Sequence, residues 1–110
     1  LDNQVAEYSR MTRAMKRLAM RLEAPVLCLA QLNRDVEKRT NKRPILADLR
    51  ETGTLEQDAD GVIFLYRDDY YNPPETPAPS SLVDVIVAKN RHGPTGKTAL
   101  SMYPATGIFK

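Results

Sequence analysis

The stretch KNRHGPTGKTAL, residues 89–100, decides between two folds. Its Gly96-Lys97-Thr98 has the form in which a phosphate-binding P-loop ends, whereas its centre, GPTG, has the form of a hairpin turn. A P-loop needs a glycine five residues before its Gly-Lys pair, a strand in front, and a helix behind whose N-terminus holds the phosphates. The position where that glycine belongs is occupied by Arg91. The residues that follow, Thr98 to Tyr103, are few and alternate, so they read as a strand. Proline fixes one backbone dihedral and the flanking glycines allow positive φ, which is turn chemistry between two strands. The stretch therefore predicts a β-hairpin and no P-loop. It leaves Lys89 and Arg91 two apart at a strand end, where side chains share one side and can reach one anionic target. The plainer alternative is an exposed basic strand end.

Working outward, Leu82–Ala88 predicts the strand that enters the hairpin, and Ile108 and Phe109 a short strand after a turn at Pro104–Gly107. The segment NPPETPAPSS, residues 72–81, can neither pair in a sheet nor continue a helix, and is expected to be a surface loop. Upstream, Gly61–Tyr66 and Val26–Ala30 are apolar without alternation. Such runs predict strands buried on both faces, as in a parallel sheet covered by helices. Val5, Tyr8, Met11, Met15, Leu18, Ala19 and Leu22 recur at helical spacing, giving an amphipathic helix from about Asn3 to Glu23 that ends at Pro25. Its Arg10, Arg13, Lys16, Arg17 and Arg21 read as a solvated face or as a contact with a neighbouring subunit. Helix followed by buried strand is an α/β unit.

Gln31 is a polar residue at the end of the first apolar run, where open α/β sheets place their ligands. An ordinary loop residue is the competing reading. Residues 34–43, RDVEKRTNKR, have little to bury and predict a mobile basic loop. Ile45–Arg50 predicts a short helix stopped at Gly53, and Thr54 with Gln57 a capping box for a second one. RETG, residues 50–53, would then lie in the turn between two helical pieces. An arginine, a flexible glycine and a helix N-terminus together suit a phosphate backbone.

The 110 residues allow one small domain. With 16 basic against 14 acidic residues, overall charge does not mark a nucleic-acid binder, so any such role must rest on a local patch. The single cysteine, Cys28, cannot form an internal disulfide, and no run approaches the roughly 18 apolar residues of a membrane span. A cytoplasmic chain without membrane contact is expected.

In this order and spacing, PVLCLAQLNR, KRPILADLRETGTLEQDADGVIFLYRDDYY and AKNRHGPTG closely resemble the C-terminal half of the RecA-like ATPase domain of DnaB-type replicative helicases. The resemblance implies an α/β fold: a twisted, mainly parallel sheet with flanking helices and a terminal β-hairpin. It implies that residues 1–110 are part of that domain, with Walker A, Walker B and the N-terminal domain lying upstream. It further implies a homo-hexamer that translocates on single-stranded DNA using ATP and Mg2+, the magnesium ligands lying outside this chain, with primase and a helicase loader as partners.

On matching residues, Gln31 would be the polar sensor of the nucleotide's terminal phosphate, and Arg50, Glu51 and Gly53 the R-E-x-G of the DNA-binding loop. Lys89 and Arg91 would be the K-x-R whose arginine is a finger in the neighbouring subunit's ATP site. Ala30 and Thr52 stand where the family commonly has serine. A non-catalytic DNA- or replisome-binding module, and another RecA-like hexameric ATPase, are the alternative readings.

Overall fold

The computed structural model describes residues 2–52 and 54–110, with side chains for all of these except residues 2, 3 and 50–52. Helix α1 spans Asp2–Leu22. It closes with Glu23 in the left-handed region (φ 50°), where Ala24 N–H donates to Ala19 O and Glu23 N–H to Met20 O. That is a Schellman closure, and Pro25 follows it directly. Two 3-10 helices come next, η1 at Arg34–Lys38 and η2 at Leu46–Thr52, then one turn of helix, α2, at Leu55–Asp58. Strands β1 (Gly61–Tyr66), β2 (Ser81–Asn90), β3 (Gly96–Tyr103) and β4 (Ile108–Phe109) form one antiparallel sheet in that order, with a helical turn, α3, at Asp68–Tyr71 between β1 and β2. The hairpin reading of residues 89–100 holds: Val87 to Ser81 pair antiparallel with Gly96 to Met102.

Pairing between β1 and β2 is interrupted by a bulge. Val62 lies opposite Lys89 and Ile63 opposite Val87, leaving Ala88 without a partner. Paired residues share a face, so Lys89 joins the face of Val62 and Phe64 rather than that of Val85 and Val87.

Several expectations need correction. Val26–Ala30 is extended but unpaired, and Leu27 and Leu29 are 87% and 90% exposed. The run carries the pattern of a strand covered on both faces, yet no described strand lies beside it. Strand β1 is likewise not buried on both faces: Phe64 and Tyr66 are buried, whereas Ile63 and Leu65 face outward. The mainly parallel sheet expected of the fold is not among the described strands, all of which pair antiparallel. On α1 the buried residues are Ser9 and Thr12, while Val5, Met11, Leu18 and Leu22 of the apolar stripe are exposed. The core is accordingly small, built on Val36, Leu49, Phe64, Tyr66 and Val83. The radius of gyration is 16.2 Å, against about 13 Å for a compact domain of this length.

Residues 34–43 are ordered rather than mobile. Asn33 caps η1 by accepting from Asp35 N–H at 2.9 Å, and Val36 is buried. Arg39 donates to both oxygens of buried Asp48 at 2.6 and 3.1 Å and to the carbonyls of Asn41 and Arg43. Nearby, Arg43 pairs with Asp84 at 2.6 Å and lies over the Tyr66 ring, tying the same segment to β1 and β2.

Candidate functional site

Helix α2 is the element around which the candidate residues gather. Thr54 is its N-cap residue, as expected, but its hydroxyl makes no cap bond and the capping box does not form. Instead Thr54 Oγ1 donates to Asp58 Oδ2, which also accepts from Thr12 Oγ1 of α1 at 2.8 Å. These hydroxyls, Thr54 first, stabilise the charged form and hold the Asp58 carboxyl below its usual range. The clasp fastens α2 to the buried polar face of α1.

The other end of α2 is occupied by cations. A helix leaves its last carbonyls without intrahelical donors and carries partial negative charge there. Lys89 Nζ donates to two of these carbonyls, Glu56 O at 2.9 Å and Gln57 O at 3.1 Å. Arg91 Nη2 reaches Gln57 O at 3.4 Å, and Arg91 Nη1 donates to Asp60 Oδ1. The Arg91 backbone N–H donates to Asp60 O at 2.9 Å, pinning the start of the hairpin turn to the residue before β1. Lys16 of α1 donates to the same oxygen, Asp60 Oδ1. Its hydrogen bond is the main reason that the Asp60 carboxyl titrates below its usual range, with further help from the charges of Arg91 and His92. The Arg91 side chain remains 42% exposed. Its other N–H donors have no partner among the described residues, so the guanidinium is held along one edge and open along the rest.

Lys89 and Arg91 are therefore brought together, as their spacing predicted. Gln31 is not in contact with them. It is exposed and lines a groove of about 660 Å3 between α1 and the 28–35 segment, together with Tyr8, Met11 and Leu29. That groove reaches Leu55, the first residue of α2, while Lys89 sits at the helix's far end. Arg50 and Glu51 fall in the backbone of η2 rather than in a turn, and their side chains lie outside the described residues, as does Gly53 altogether. Reading the sequence missed Asp60, Lys16, Asp58 and Thr12. The one signal for them was the alternation of acids at Glu56, Asp58 and Asp60 ahead of β1. Among the described residues, no group of three or more His, Cys, Asp or Glu side chains is placed to hold a metal ion, and no helix is long and apolar enough to cross a membrane.

The sequence model of the DnaB-like helicase C terminal domain matches residues 1–110. The chain belongs to the DnaB-like helicase C-terminal domain family. It is similar to the replicative DNA helicase DnaB of Geobacillus stearothermophilus, with 48% identity over 100 residues that make up 91% of this chain and 22% of the relative. A probable plasmid replicative DNA helicase of Chlamydia psittaci is 45% identical over 108 residues, 98% of this chain and 23% of that protein. Among solved structures, a DnaB-like replicative helicase described with its primase interactions superposes with a TM-score of 0.84 at 48% identity, over 92% of this chain and 24% of that one. A solved ATPase domain does so with a TM-score of 0.87 at 46% identity, over 96% and 36%. The fold is thus that of the RecA-like ATPase domains of DnaB type, and the described strands of this chain are antiparallel. It spans about a fifth of the length of the curated relatives it matches.

Proposed function

We propose that this DnaB-family segment belongs to a hexameric replicative helicase that unwinds duplex DNA by ATP-driven movement along single-stranded DNA, and that it supplies the trans-acting side of the ATP site. The observation that carries this reading is the gathering of Lys89 and Arg91 at the C-terminal end of α2, with the Arg91 side chain still 42% exposed. Two adjacent cations at a hairpin tip suit an anionic group presented by another subunit. When ATP and Mg2+ are bound next door, such an arginine offsets charge developing on the transferring phosphoryl group, worth roughly a thousandfold or more in rate.

Gln31 is assigned the sensor role, on the groove whose lining also includes Leu55 of α2. Arg50, Glu51 and Gly53 are assigned to single-stranded DNA: Arg50 by pairing with phosphate, Gly53 by letting backbone N–H groups approach, Glu51 through its backbone or by orienting Arg50. Primase and a loader would meet the full-length protein, in the cytoplasm.

The test is Arg91→Ala in the full-length protein. ATP hydrolysis should fall by about a thousandfold while equilibrium nucleotide binding stays within a few-fold of the parent. Turnover intact with binding lost would remove Arg91 from the trans-acting role.

A further inference from the structure

We infer that Asp60 is the positioning residue of the Arg91 finger, and that Lys16 keeps its carboxylate neutralised when the finger reaches outward. The inference rests on the trans-acting reading of Arg91.

An arginine at a hairpin tip has rotamer freedom that dilutes any single pose. Here two contacts from one residue limit it. The Asp60 carbonyl holds the Arg91 backbone and the Asp60 carboxylate holds Nη1, while Gln57 O sits beside Nη2. The remaining N–H groups are left for an external anion, the geometry a preorganised finger needs.

A finger gripped too firmly in its own subunit could not let go. The Asp60 side chain is 54% exposed, so giving up its ion pair with Arg91 costs little, but that cost still opposes every excursion of Arg91. Lys16 lowers it. Its ammonium donates to the same oxygen, Asp60 Oδ1, from a different element, α1. When Arg91 turns towards an anion across the interface, Asp60 keeps a cation. Lys89 stays seated on the Glu56 and Gln57 carbonyls, so the end of β2 does not shift with it. The other titratable group facing Asp60 is His92, one residue beyond Arg91.

Asp60 also closes a chain of contacts. It lies two residues beyond Asp58, whose clasp with Thr12 and Thr54 fastens α2 immediately after residues 50–53, the segment assigned to DNA. A displacement of that segment therefore has a short route, through α2, to the residue that aims the finger.

The experiment measures steady-state ATP hydrolysis by the full-length protein carrying Asp60→Asn, Asp60→Glu, Lys16→Met, Arg91→Ala, or Asp60→Asn with Arg91→Ala. Asp60→Asn preserves the backbone bond from Arg91 and the side-chain shape while removing the charge. It should lower kcat about tenfold with KM for ATP within about twofold, since misplacing a catalytic group costs turnover rather than binding. Asp60→Glu should recover most of the loss. Lys16→Met, which leaves the Asp60 carboxylate without a cation when Arg91 turns outward, should lower kcat about threefold, less than Asp60→Asn does. Added to Arg91→Ala, Asp60→Asn should cost nothing more, because both act through one group.

Four results overturn the inference. If Asp60→Asn leaves kcat unchanged while Arg91→Ala abolishes it, the finger stands and its positioning by Asp60 does not. If Lys16→Met leaves kcat unchanged, Asp60 needs no second cation when Arg91 leaves it, and the role given to Lys16 fails. If the double variant is additively worse than Arg91→Ala, Asp60 acts elsewhere. If Arg91→Ala itself leaves kcat intact, the trans-acting reading fails and the positioning role fails with it.

Discussion

At the scale of single residues, Asp58 shows how a residue type with a poor helix propensity becomes an anchor. An aspartate four residues after a threonine lies one helical turn away, so the Thr54 hydroxyl can serve it instead of the helix N-terminus. Thr12, buried on α1, completes the clasp. Asp58→Asn should accelerate hydrogen exchange at the Gln57, Asp58 and Ala59 amides about tenfold at neutral pH, the equivalent of roughly 1.4 kcal/mol in local opening. The pH dependence has a definite sign. The folded carboxyl is held below its ordinary value near 3.8, so the clasp is fully effective above that value. It is lost as pH falls through the lower, folded value. The exchange ratio between variant and parent should therefore shrink towards one below about pH 4, and a ratio independent of pH would show that the Asp58 charge is not what fastens α2.

At the scale of elements, residues 34–43 show why composition misleads. Five cations and two acids over ten residues read as solvated coil, yet one of those cations, Arg39, meets both oxygens of a buried carboxylate five residues beyond the segment. A hydrogen-bond network that spans such a gap leaves no periodic trace. Asp48→Ala should free Arg39 and open η1, with tryptic cleavage within residues 34–43 at least about tenfold faster than in the parent. Unchanged cleavage would mean that Val36 and the Asn33 cap suffice. Where spacing alone carries the structure, the sequence was readable: α1, the hairpin at residues 89–100 and the β4 turn all follow from periodicity and turn chemistry. The joint approach of Lys89 and Arg91 was readable for the same reason. Their anchors were not, because Asp60 and Lys16 lie 31 and 44 residues from their partners Arg91 and Asp60. The exposed Val26–Ala30 run is a different case. Its pattern specifies neighbours on both faces that the described residues do not supply.

At the scale of the whole molecule, charge and shape both point away from long-range effects. The formal net charge is only +2, so the overall field of this chain attracts nucleic acid weakly, and the proposed DNA contact would rest on individual phosphate contacts. The salt dependence of single-stranded DNA affinity then counts those contacts. Arg50→Ala in the full-length protein should reduce the slope of log K against log salt by about 0.7, the value for one phosphate on a single strand. An unchanged slope would place Arg50 away from the backbone. The exposed stripe of α1 and the outward Leu27 and Leu29 are apolar surface beside a core of five buried hydrophobic residues among those described. It fits a chain that spans about a fifth of its relatives.

The bulge at Ala88 has a consequence for how this hairpin can change over time. Strand β2 counts in twos, Val83, Val85 and Val87 on one face, and simple counting would put Lys89 there as well. The unpaired alanine resets the count. Everything beyond it, Lys89 included, stands one position out of step with the valines. Substitutions on the valine face therefore fall on the opposite side of the sheet from Lys89, so the two sides can vary under different demands.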